Sequence, residues 1–298
     1  MKKGSKTSSF GTTARISHDS APYYNSKLYA DVPGEAISPP VPDNPFPSEL
    51  ENNLLLGSAE NMQAIPANSL HLMVTSPPYN VTKDYDQDLS LREYLQLLRN
   101  VFAETYRVLV YGGRACVNVA NLGRKPYIPL SDYVSQIMIK LGFLMRGEIV
   151  WYKGAGAGVS MAWGSWQSAS NPVLRDTHEY ILVFSKGAFA RKKSAGKEDT
   201  ITREQFMEWT RSVWKMNPES AKKVGHPAPF PIELPYRLVQ LYTYKGEVVL
   251  DPFMGSGTTA IAALKSERKY VGYEIEPEYI RLAEQRLAPF KLQMSLGI

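Results

Sequence analysis

The sequence predicts an α/β protein with a doubly wound, mostly parallel sheet, and three observations support this prediction. Short apolar segments alternate with amphipathic segments from residue 53 onward, as strands and helices do in such folds. A buried strand at residues 248–253 runs through a glycine-rich turn directly into a helix. The chain has 298 residues, 44% hydrophobic and 21% charged, which suits one large α/β domain or two ordinary ones and excludes a wholly disordered or collagen-like chain.

The pattern of apolar residues predicts seven strands and five main helices. Ser90 is a suitable N-cap for the first helix, Gly112 and Gly113 are expected to end it, and Pro277 takes the first position of the last helix. A further amphipathic helix is expected within residues 203–211. The strands are predicted at residues 53–57, 71–76, 114–120, 143–153, 179–186, 248–253 and 269–275, and the main helices at 91–109, 132–141, 231–243, 258–267 and 277–287.

The formal net charge of +5 is concentrated in one part of the chain. Residues 186–223 hold ten basic and five acidic side chains, whereas the charges balance elsewhere. This segment is therefore either a solvated loop or a surface that faces a polyanion. There is no run of about 18 apolar residues for a membrane span and no apolar signal-peptide segment. The one cysteine, Cys116, excludes an internal disulfide and fits a cytoplasmic protein.

The glycine-rich turn predicts a nucleoside-binding site. Asp251, Pro252 and Phe253 end a strand, and the sequence Gly-Ser-Gly that follows opens a helix whose N–H groups can hold a polar ligand. Glu274 ends the next strand, where such folds bind ribose hydroxyls. The turn is not a P-loop, because no Gly-Lys-Ser/Thr follows, and it lacks the third glycine of the dinucleotide fingerprint.

A second segment, Thr75-Ser76-Pro77-Pro78-Tyr79, follows another strand. The two prolines fix the backbone and leave carbonyl oxygens and the serine hydroxyl as acceptors. Such a rim suits a planar, ring-attached amino group, on which the tyrosine ring can stack, although an ordinary Pro-Pro loop has the same local pattern.

The two segments together resemble the amino-methylating DNA methyltransferases, which use S-adenosyl-L-methionine. The matching sequences are TSPPYN, DPFMGSGTT and VGYEI, supported by EYILVFSK and HPAPFPIELPYRLVQL, and the resemblance spans most of residues 54–287. Because TSPPY precedes the glycine turn, the resemblance implies the β-type motif order and a circularly permuted class I methyltransferase fold. Relatives with serine in the first motif position mostly methylate N4 of cytosine, and those with Asp or Asn mostly methylate N6 of adenine.

The resemblance also implies roles for individual residues. The target base would be flipped out of duplex DNA and its amine methylated directly, without a covalent enzyme intermediate. Ser58 stands where relatives often carry an aspartate near the adenine ring, which puts that contact in doubt. The implied catalytic residues are Ser76, Pro77, Pro78 and Tyr79, and the implied cofactor-binding residues are Thr75, His226, Phe230, Pro231, Asp251, Pro252, Phe253, Gly255, Ser256, Gly257, Thr258 and Glu274.

The same resemblance divides the chain into four parts. Residues 1–47 form an arm or tail, 48–153 the catalytic half, 154–224 an inserted target-recognition region with one returning core strand at 178–186, and 225–298 the cofactor-binding half. The basic segment falls in the inserted region, where phosphate contacts position a methyltransferase on DNA. The candidate phosphate contacts are Arg191, Lys192, Lys193, Lys197, Arg203, Arg211, Lys222 and Lys223.

Several alternatives stay open at this point. They are an adenine-N6 methyltransferase of the same fold, a dinucleotide-dependent oxidoreductase, a non-catalytic DNA-binding module, and a methylase of small-molecule or RNA amines. Carbon-5 methylation of cytosine is disfavoured, because Cys116 lies in the middle of a predicted strand rather than in a Pro-Cys setting. No metal site is expected, and a companion restriction endonuclease would be a separate protein. Relatives often dimerise, so a homodimer is one option, but the sequence does not determine the oligomeric state.

Overall fold

The chain forms two compact units in the computed structural model, Met1–Gly34 and Glu35–Ile298. The structure describes residues 6–7, 15–16, 24–35, 42–79, 89–123, 125–154, 164–191, 193–220, 224 and 230–296. In the first unit, two-residue strands Lys6–Thr7 and Arg15–Ile16 pair antiparallel, and a short 3-10 helix spans Lys27–Tyr29.

The second unit is built around one eight-stranded sheet with helices on both faces, so the predicted fold class is confirmed. The strands are β1 Asn53–Leu56, β2 Leu70–Thr75, β3 Leu109–Val119, β4 Phe143–Tyr152, β5 His178–Lys186, β6 Val213–Lys215, β7 Val248–Asp251 and β8 Lys269–Glu274. The helices are α1 Leu91–Val108, α2 Leu130–Lys140, α3 Arg203–Trp209, α4 Glu233–Tyr242, α5 Thr258–Lys265 and α6 Pro277–Leu296. A separate two-stranded ribbon joins Leu122–Gly123 to Tyr127–Ile128.

The strand order in the sheet is β6-β4-β5-β3-β2-β7-β8-β1. Every neighbouring pair is parallel except the two that involve β5, so β5 alone runs against the others. The chain passes from β2 to its neighbour β3 on one side, whereas it passes from β7 to β8 on the opposite side of the sheet. The boundary between β2 and β7 is therefore the topological switch point, where open α/β sheets bind their ligands.

Two hydrophobic cores lie on the two faces of this sheet. Successive strand residues point to opposite faces, so that Met73 belongs to one core and Val74 to the other. Helices α1 and α2 supply the first core with residues such as Phe102 and Val134, and helices α4, α5 and α6 supply the second with residues such as Leu238. Cys116 is fully buried in the second core.

Helix α1 begins at its predicted residue and ends one residue before its predicted end at Leu109. Ser90 caps it in a capping box with Glu93, which confirms the expected start. The expectation that Gly112 and Gly113 end the helix was wrong, because the helix stops at Val108 and the chain enters β3 at once. Gly112 has a positive φ of 74° inside β3, and a side chain on Gly113 would lie 2.9 Å from the carbonyl oxygen of Val110. The two glycines therefore permit an irregular, closely packed turn of the backbone within β3 and do not end the helix.

Two further differences and one confirmed helix concern residues beyond 150. Strand β6 was not predicted, although it joins the edge of the sheet beside β4. The helix expected within residues 203–211 is present as α3 and begins with a capping box at Thr202. Helix α6 continues past its expected end at residue 287 to Leu296. Short runs at a sheet edge carry little periodicity, which explains why β6 escaped the pattern.

Candidate active site

An open cleft lies at the carboxyl ends of β1, β2, β7 and β8, over the switch point of the sheet. It brings the Ser-Pro-Pro-Tyr segment, the glycine turn and the end of β8 together, although these parts are far apart in sequence. The residues that line it include Gly57, Ser58, Glu60, Ser76, Pro77, Pro78, Tyr79, Leu89, Pro252, Phe253, Gly255, Glu274, Ile275 and Tyr279. The rim predicted to accept hydrogen bonds from an amine and the predicted nucleoside site therefore face the same cleft.

The Ser76–Tyr79 segment is held from behind by hydrogen bonds. The hydroxyl groups of Ser76 and Tyr79 are 3.3 Å apart, and Tyr79 Oη accepts a hydrogen bond from the backbone N–H of Ala120. Tyr79 Oη also donates to Oε2 of Glu179 at 3.3 Å. Burial and the nearby carboxylate of Glu179 raise the pKa of Tyr79 well above its usual range, so its hydroxyl stays protonated. The ring thus forms a fixed wall of the cleft.

Asp251 lies behind the glycine turn and shapes it. Its Oδ1 accepts from Thr75 Oγ1 at 2.6 Å and from the backbone N–H of Phe253 at 3.0 Å, and its Oδ2 accepts from Thr259 Oγ1 at 2.6 Å. Burial raises the pKa of Asp251 to about 6, against the opposing effect of these hydrogen bonds. Asp251 and Thr75 are both buried and do not line the cleft, so in this geometry they hold the two loops in position.

The backbone of the glycine turn is largely bonded within the protein. The N–H groups of Met254 and Gly257 donate to the carbonyl oxygens of Tyr273 and Met254, and the N–H of Gly255 donates to Oε2 of Glu274 at 2.8 Å. The expectation that this turn leaves its N–H groups free for a ligand therefore does not hold for these positions. Gly257 is needed for another reason: its φ is +81°, and a side chain there would lie 3.0 Å from Cβ of Ala283.

Arg286 on α6 fixes the start of α5, a role that the sequence did not suggest. Its Nη1 donates to the carbonyl oxygen of Ser256, to Ser256 Oγ at 2.7 Å and to Thr258 Oγ1 at 3.3 Å. Ser256 and Thr258 are both buried and lie outside the lining of the cleft. They belong to the support of the turn rather than to its ligand-facing surface.

Glu274 ends β8 with its carboxylate at the cleft. Oε1 accepts from the N–H of Glu276 at 3.0 Å while Oε2 accepts from Gly255, so both oxygens are oriented by backbone donors and keep lone pairs for a ligand hydroxyl. Burial raises the pKa of Glu274 despite these hydrogen bonds. This arrangement fits the predicted contact with ribose hydroxyls.

The wall beside β1 carries a carboxylate close to Ser58. Ser58 Oγ donates to Glu60 Oε2 at 3.3 Å, and Glu60 Oε1 accepts from Asn100 at 2.8 Å. A side chain built on Gly57 would meet nothing within 4 Å, so Gly57 leaves open space in the cleft. Glu60 thus supplies a carboxylate acceptor on the wall beside Ser58.

The chain matches the family model described as DNA methylase, of the N6/N4 methyltransferase group, over residues 70–285. It belongs to the N6/N4 DNA methylase family. Among its relatives, the type II methyltransferase M.MjaI of Methanocaldococcus jannaschii is 30% identical, with 79% of this chain and 91% of that protein covered. The structure of TTHA0409 from Thermus thermophilus, complexed with S-adenosyl-L-methionine, is 31% identical with a TM-score of 0.66 over 80% of this chain and 94% of that one. The PvuII DNA methyltransferase, which is cytosine-N4-specific, shares the fold at 19% identity with a TM-score of 0.64, over 83% of this chain and 94% of that one.

Family membership confirms the resemblance seen in the motifs and rules out a dinucleotide-dependent oxidoreductase. DNA methylases of this family take their methyl group from S-adenosyl-L-methionine. The cleft fits such a molecule, because Glu274 offers oriented acceptors for ribose hydroxyls and Phe253, Ile275 and Tyr279 offer flat or apolar walls. Gly57 also lines the cleft, and a Cβ there would meet no heavy atom within 4 Å.

Three other residues predicted to bind the cofactor are not found in the lining of the cleft among the described residues. Phe230 packs against the core that α4 covers, and neither Phe230 nor the buried Pro231 belongs to the lining of the cleft among the described residues. His226 lies outside the described residues, so its proposed part in the pocket stays a prediction.

The predicted phosphate contacts fall into three groups. The prediction for Arg191 is corrected. The guanidinium of Arg191 makes a two-pronged ion pair with the carboxylate of Glu247, which is 1% exposed, so Arg191 is not free to contact phosphate. Lys197 also reaches Glu247, at 3.0 Å, and Lys193 pairs with Asp199 on the surface. Arg203 and Arg211 are exposed at the two ends of the α3 region. Lys192, Lys222 and Lys223 lie outside the described residues.

Two absences hold within the described part of the chain. No helix there is long and apolar enough to cross a membrane. No group of three His, Cys, Asp or Glu side chains that could hold a metal ion is found among the same residues.

Proposed function

We propose that this protein is a type II DNA methyltransferase that transfers a methyl group from S-adenosyl-L-methionine to N4 of a flipped-out cytosine in duplex DNA. The observation that carries the proposal is the single cleft in which Ser76 and Tyr79 face the same space as Gly255 and Glu274. The cofactor supplies an electrophilic methyl group on a sulfonium. The protein supplies the geometry that brings the amine to it, and positioning of this kind accounts for a large part of many enzymatic rates.

Each side chain of the motif has a part in this proposal. The flipped cytosine stacks on the Tyr79 ring, which replaces about 1–3 kcal/mol of stacking lost from the duplex. Its amine donates one N–H to Ser76 Oγ and the other to the carbonyl oxygen of Pro77. These two acceptors favour an sp³-like nitrogen whose lone pair is aimed at the methyl carbon. The serine in the first motif position is what favours cytosine over adenine.

Direct transfer is supported by the position of Cys116. Its thiol is fully buried in β3 and burial raises its pKa, so it cannot act as the thiolate nucleophile that carbon-5 methylation needs. A Cys116→Ala variant is therefore expected to keep its methyl-transfer activity. Complete loss of activity in a folded variant would overturn direct transfer.

The cofactor-side proposals follow the same cleft. Glu274 binds the ribose hydroxyls, Phe253 and Gly255 line the methionine side, and Glu60 accepts a hydrogen bond from the adenine amine. We also propose a separate restriction endonuclease, which the type II designation of the relatives supports, together with a homodimer and a cytoplasmic location.

The test is to methylate plasmid DNA with purified protein, digest it to nucleosides and identify the modified base by mass. N4-methylcytosine is the expected product. N6-methyladenine would overturn the base assignment and leave the amine chemistry intact, whereas 5-methylcytosine would overturn both. Sequencing that reports modified bases would then give the recognition site.

A further inference from the structure

Three polar side chains, two from strands β3 and β5 and one that directly follows β4, meet behind Ser76 and Tyr79 at the carboxyl end of the sheet. Asn118 of β3 donates through Nδ2 to Glu179 Oε2 at 2.6 Å and to Ser76 Oγ at 3.4 Å. Lys153, which follows β4, forms an ion pair with Oε1 of Glu179. Asn118 and Glu179 are 2% and 8% exposed. We call Ser76, Tyr79, Asn118, Glu179 and Lys153 the Glu179 network.

The directions of the hydrogen bonds in the Glu179 network follow from its donors. Asn118 turns its NH₂ group toward Glu179, since the opposite orientation would set its oxygen against a carboxylate. Tyr79 Oη accepts from the N–H of Ala120, so its own proton points to Glu179 Oε2. The proton of Ser76 then points to Tyr79 Oη, 3.3 Å away. The remaining lone pair of Ser76 Oγ is left to face the cleft.

A carboxylate connected to Ser76 matters because the amine must lose a proton. When the amine nitrogen forms its bond to the methyl carbon, the electron pair of the carbon–sulfur bond stays on sulfur and the nitrogen becomes cationic. The positive nitrogen lies in a cleft with apolar walls, where an unpaired charge is costly. Asp251 and Glu274, two other carboxylates near the cleft, have no hydrogen bond to Ser76 or Tyr79 among the described contacts, because Asp251 accepts from two threonines and the N–H of Phe253, and Glu274 from two backbone N–H groups.

We propose that Glu179 is the terminal proton acceptor of the reaction, reached from the target amine through Ser76 and Tyr79. The amine gives a proton to Ser76 Oγ as Ser76 gives its proton to Tyr79 Oη and Tyr79 gives its proton to Glu179 Oε2. The products are a neutral methylated amine and a neutral Glu179 beside the Lys153 ammonium. Lys153, whose side chain is 23% exposed, connects the network to solvent, where the proton leaves.

Glu179 acts through two other residues and is therefore a positioning residue. It fixes which way the hydroxyl protons of Tyr79 and Ser76 point, and it stores the proton. The inference rests on the proposed role of Ser76 as the acceptor for the amine. It does not depend on whether the amine belongs to cytosine or adenine.

The test compares Glu179→Gln with Glu247→Gln. Each change neutralises one buried carboxylate that forms an ion pair. Glu179 lies at the carboxyl end of the parallel strands, whereas Glu247 lies at their amino end, directly before β7. The measurements are the single-turnover methyl-transfer rate at saturating DNA and S-adenosyl-L-methionine, the cofactor dissociation constant, and the melting temperature.

We expect Glu179→Gln to lower the transfer rate about 100-fold or more, the usual size of a proton-transfer contribution, with an unchanged cofactor dissociation constant. Its residual rate should rise with pH between roughly pH 7 and pH 9, because hydroxide then takes up the proton, while the wild-type rate changes little. Glu247→Gln should lower the melting temperature and leave the rate of the folded protein unchanged.

The proposal is overturned if Glu179→Gln transfers methyl groups at nearly the wild-type rate, or if its slower rate matches that of Glu247→Gln and shows no dependence on pH. The outcome is separate from the test of the proposed function. An adenine product would refute the cytosine assignment without touching the Glu179 network, and a fast Glu179→Gln variant would refute the network whichever base is modified.

Discussion

Thr75 and Asp251, the last residues of the neighbouring strands β2 and β7, are joined by a hydrogen bond of 2.6 Å between Oγ1 and Oδ1. Ser76 follows the first residue and Pro252 follows the second, so this one bond ties the loop proposed to hold the amine to the loop proposed to hold the methyl donor. Both side chains are shielded from solvent. The two proposed reactant loops are therefore joined by a contact that lies outside the lining of the cleft.

We predict that Thr75→Val weakens both the fold and cofactor binding. Valine has nearly the same shape, but Oδ1 of Asp251 then keeps only the Phe253 N–H as a partner. A buried acceptor that loses a partner costs about 1–3 kcal/mol of unfolding free energy. Urea unfolding and cofactor titration measure the two effects.

Thr105→Val is the matched control for that variant. Thr105 is also fully buried, but its hydroxyl donates to the carbonyl of Val101, which the helix α1 already uses. The control should therefore leave cofactor affinity unchanged. Equal cofactor affinities for Thr75→Val and wild type would contradict a coupling of the two loops through Asp251.

The raised pKa of Asp251 predicts how its ionisation affects stability. The pKa is about 6 in the folded protein against 3.8 when exposed, so the native state holds this proton more tightly than the unfolded state. Its contribution to stability is thus fully present below about pH 4 and is lost as the pH rises through 6. In urea unfolding, the unfolding free energy of wild type minus that of Asp251→Asn should fall over this range. A constant or rising difference would mean that Asp251 is not buried as described.

A third prediction concerns Arg286, which holds the start of α5. Arg286→Met removes the donor to Ser256 and Thr258 and should loosen the glycine turn. Since a charged hydrogen bond is worth about 1.5–3 kcal/mol, we expect cofactor affinity to fall about tenfold or more. Arg281→Met, an exposed change on the same helix, is the control and should have no effect. Isothermal titration with S-adenosyl-L-methionine distinguishes them, and equal affinities would contradict a role for Arg286 in the turn.

The parts of the fold and of the site that could be predicted from sequence are those encoded by a few adjacent residues. The Ser90 cap with Glu93 lies within one helical turn, and the glycine turn that follows Asp251 lies within one loop. In both cases local backbone chemistry determines the structure, so a single stretch of sequence is sufficient.

The parts that could not be predicted depend on pairing between distant segments. Glu179 reaches Tyr79 across 100 residues, and Arg191 reaches Glu247 across 56. The sequence shows that residue 191 is basic and lies among other basic residues, but only the fold shows that a buried carboxylate lies beside it. The same limit hid the partners of Asn118 and Arg286.

The exposed arginines of the α3 region give the last prediction. Arg203 and Arg211 are exposed, whereas Arg191 is paired with Glu247. Burial raises the pKa of Glu247, but Arg191 and the neighbouring His71 outweigh this effect and lower that pKa to about 2. The double change Arg203→Gln with Arg211→Gln should weaken duplex DNA binding and reduce the slope of log affinity against log salt by roughly 2, since each phosphate contact contributes about 0.9. Arg191→Gln should instead cost about 3 kcal/mol of unfolding free energy, because it leaves a buried charge without its main partner, and should keep the wild-type salt slope. DNA titrations at several salt concentrations and urea unfolding of each variant measure both. A reduced salt slope for Arg191→Gln alone would show that Arg191 leaves Glu247 to contact DNA.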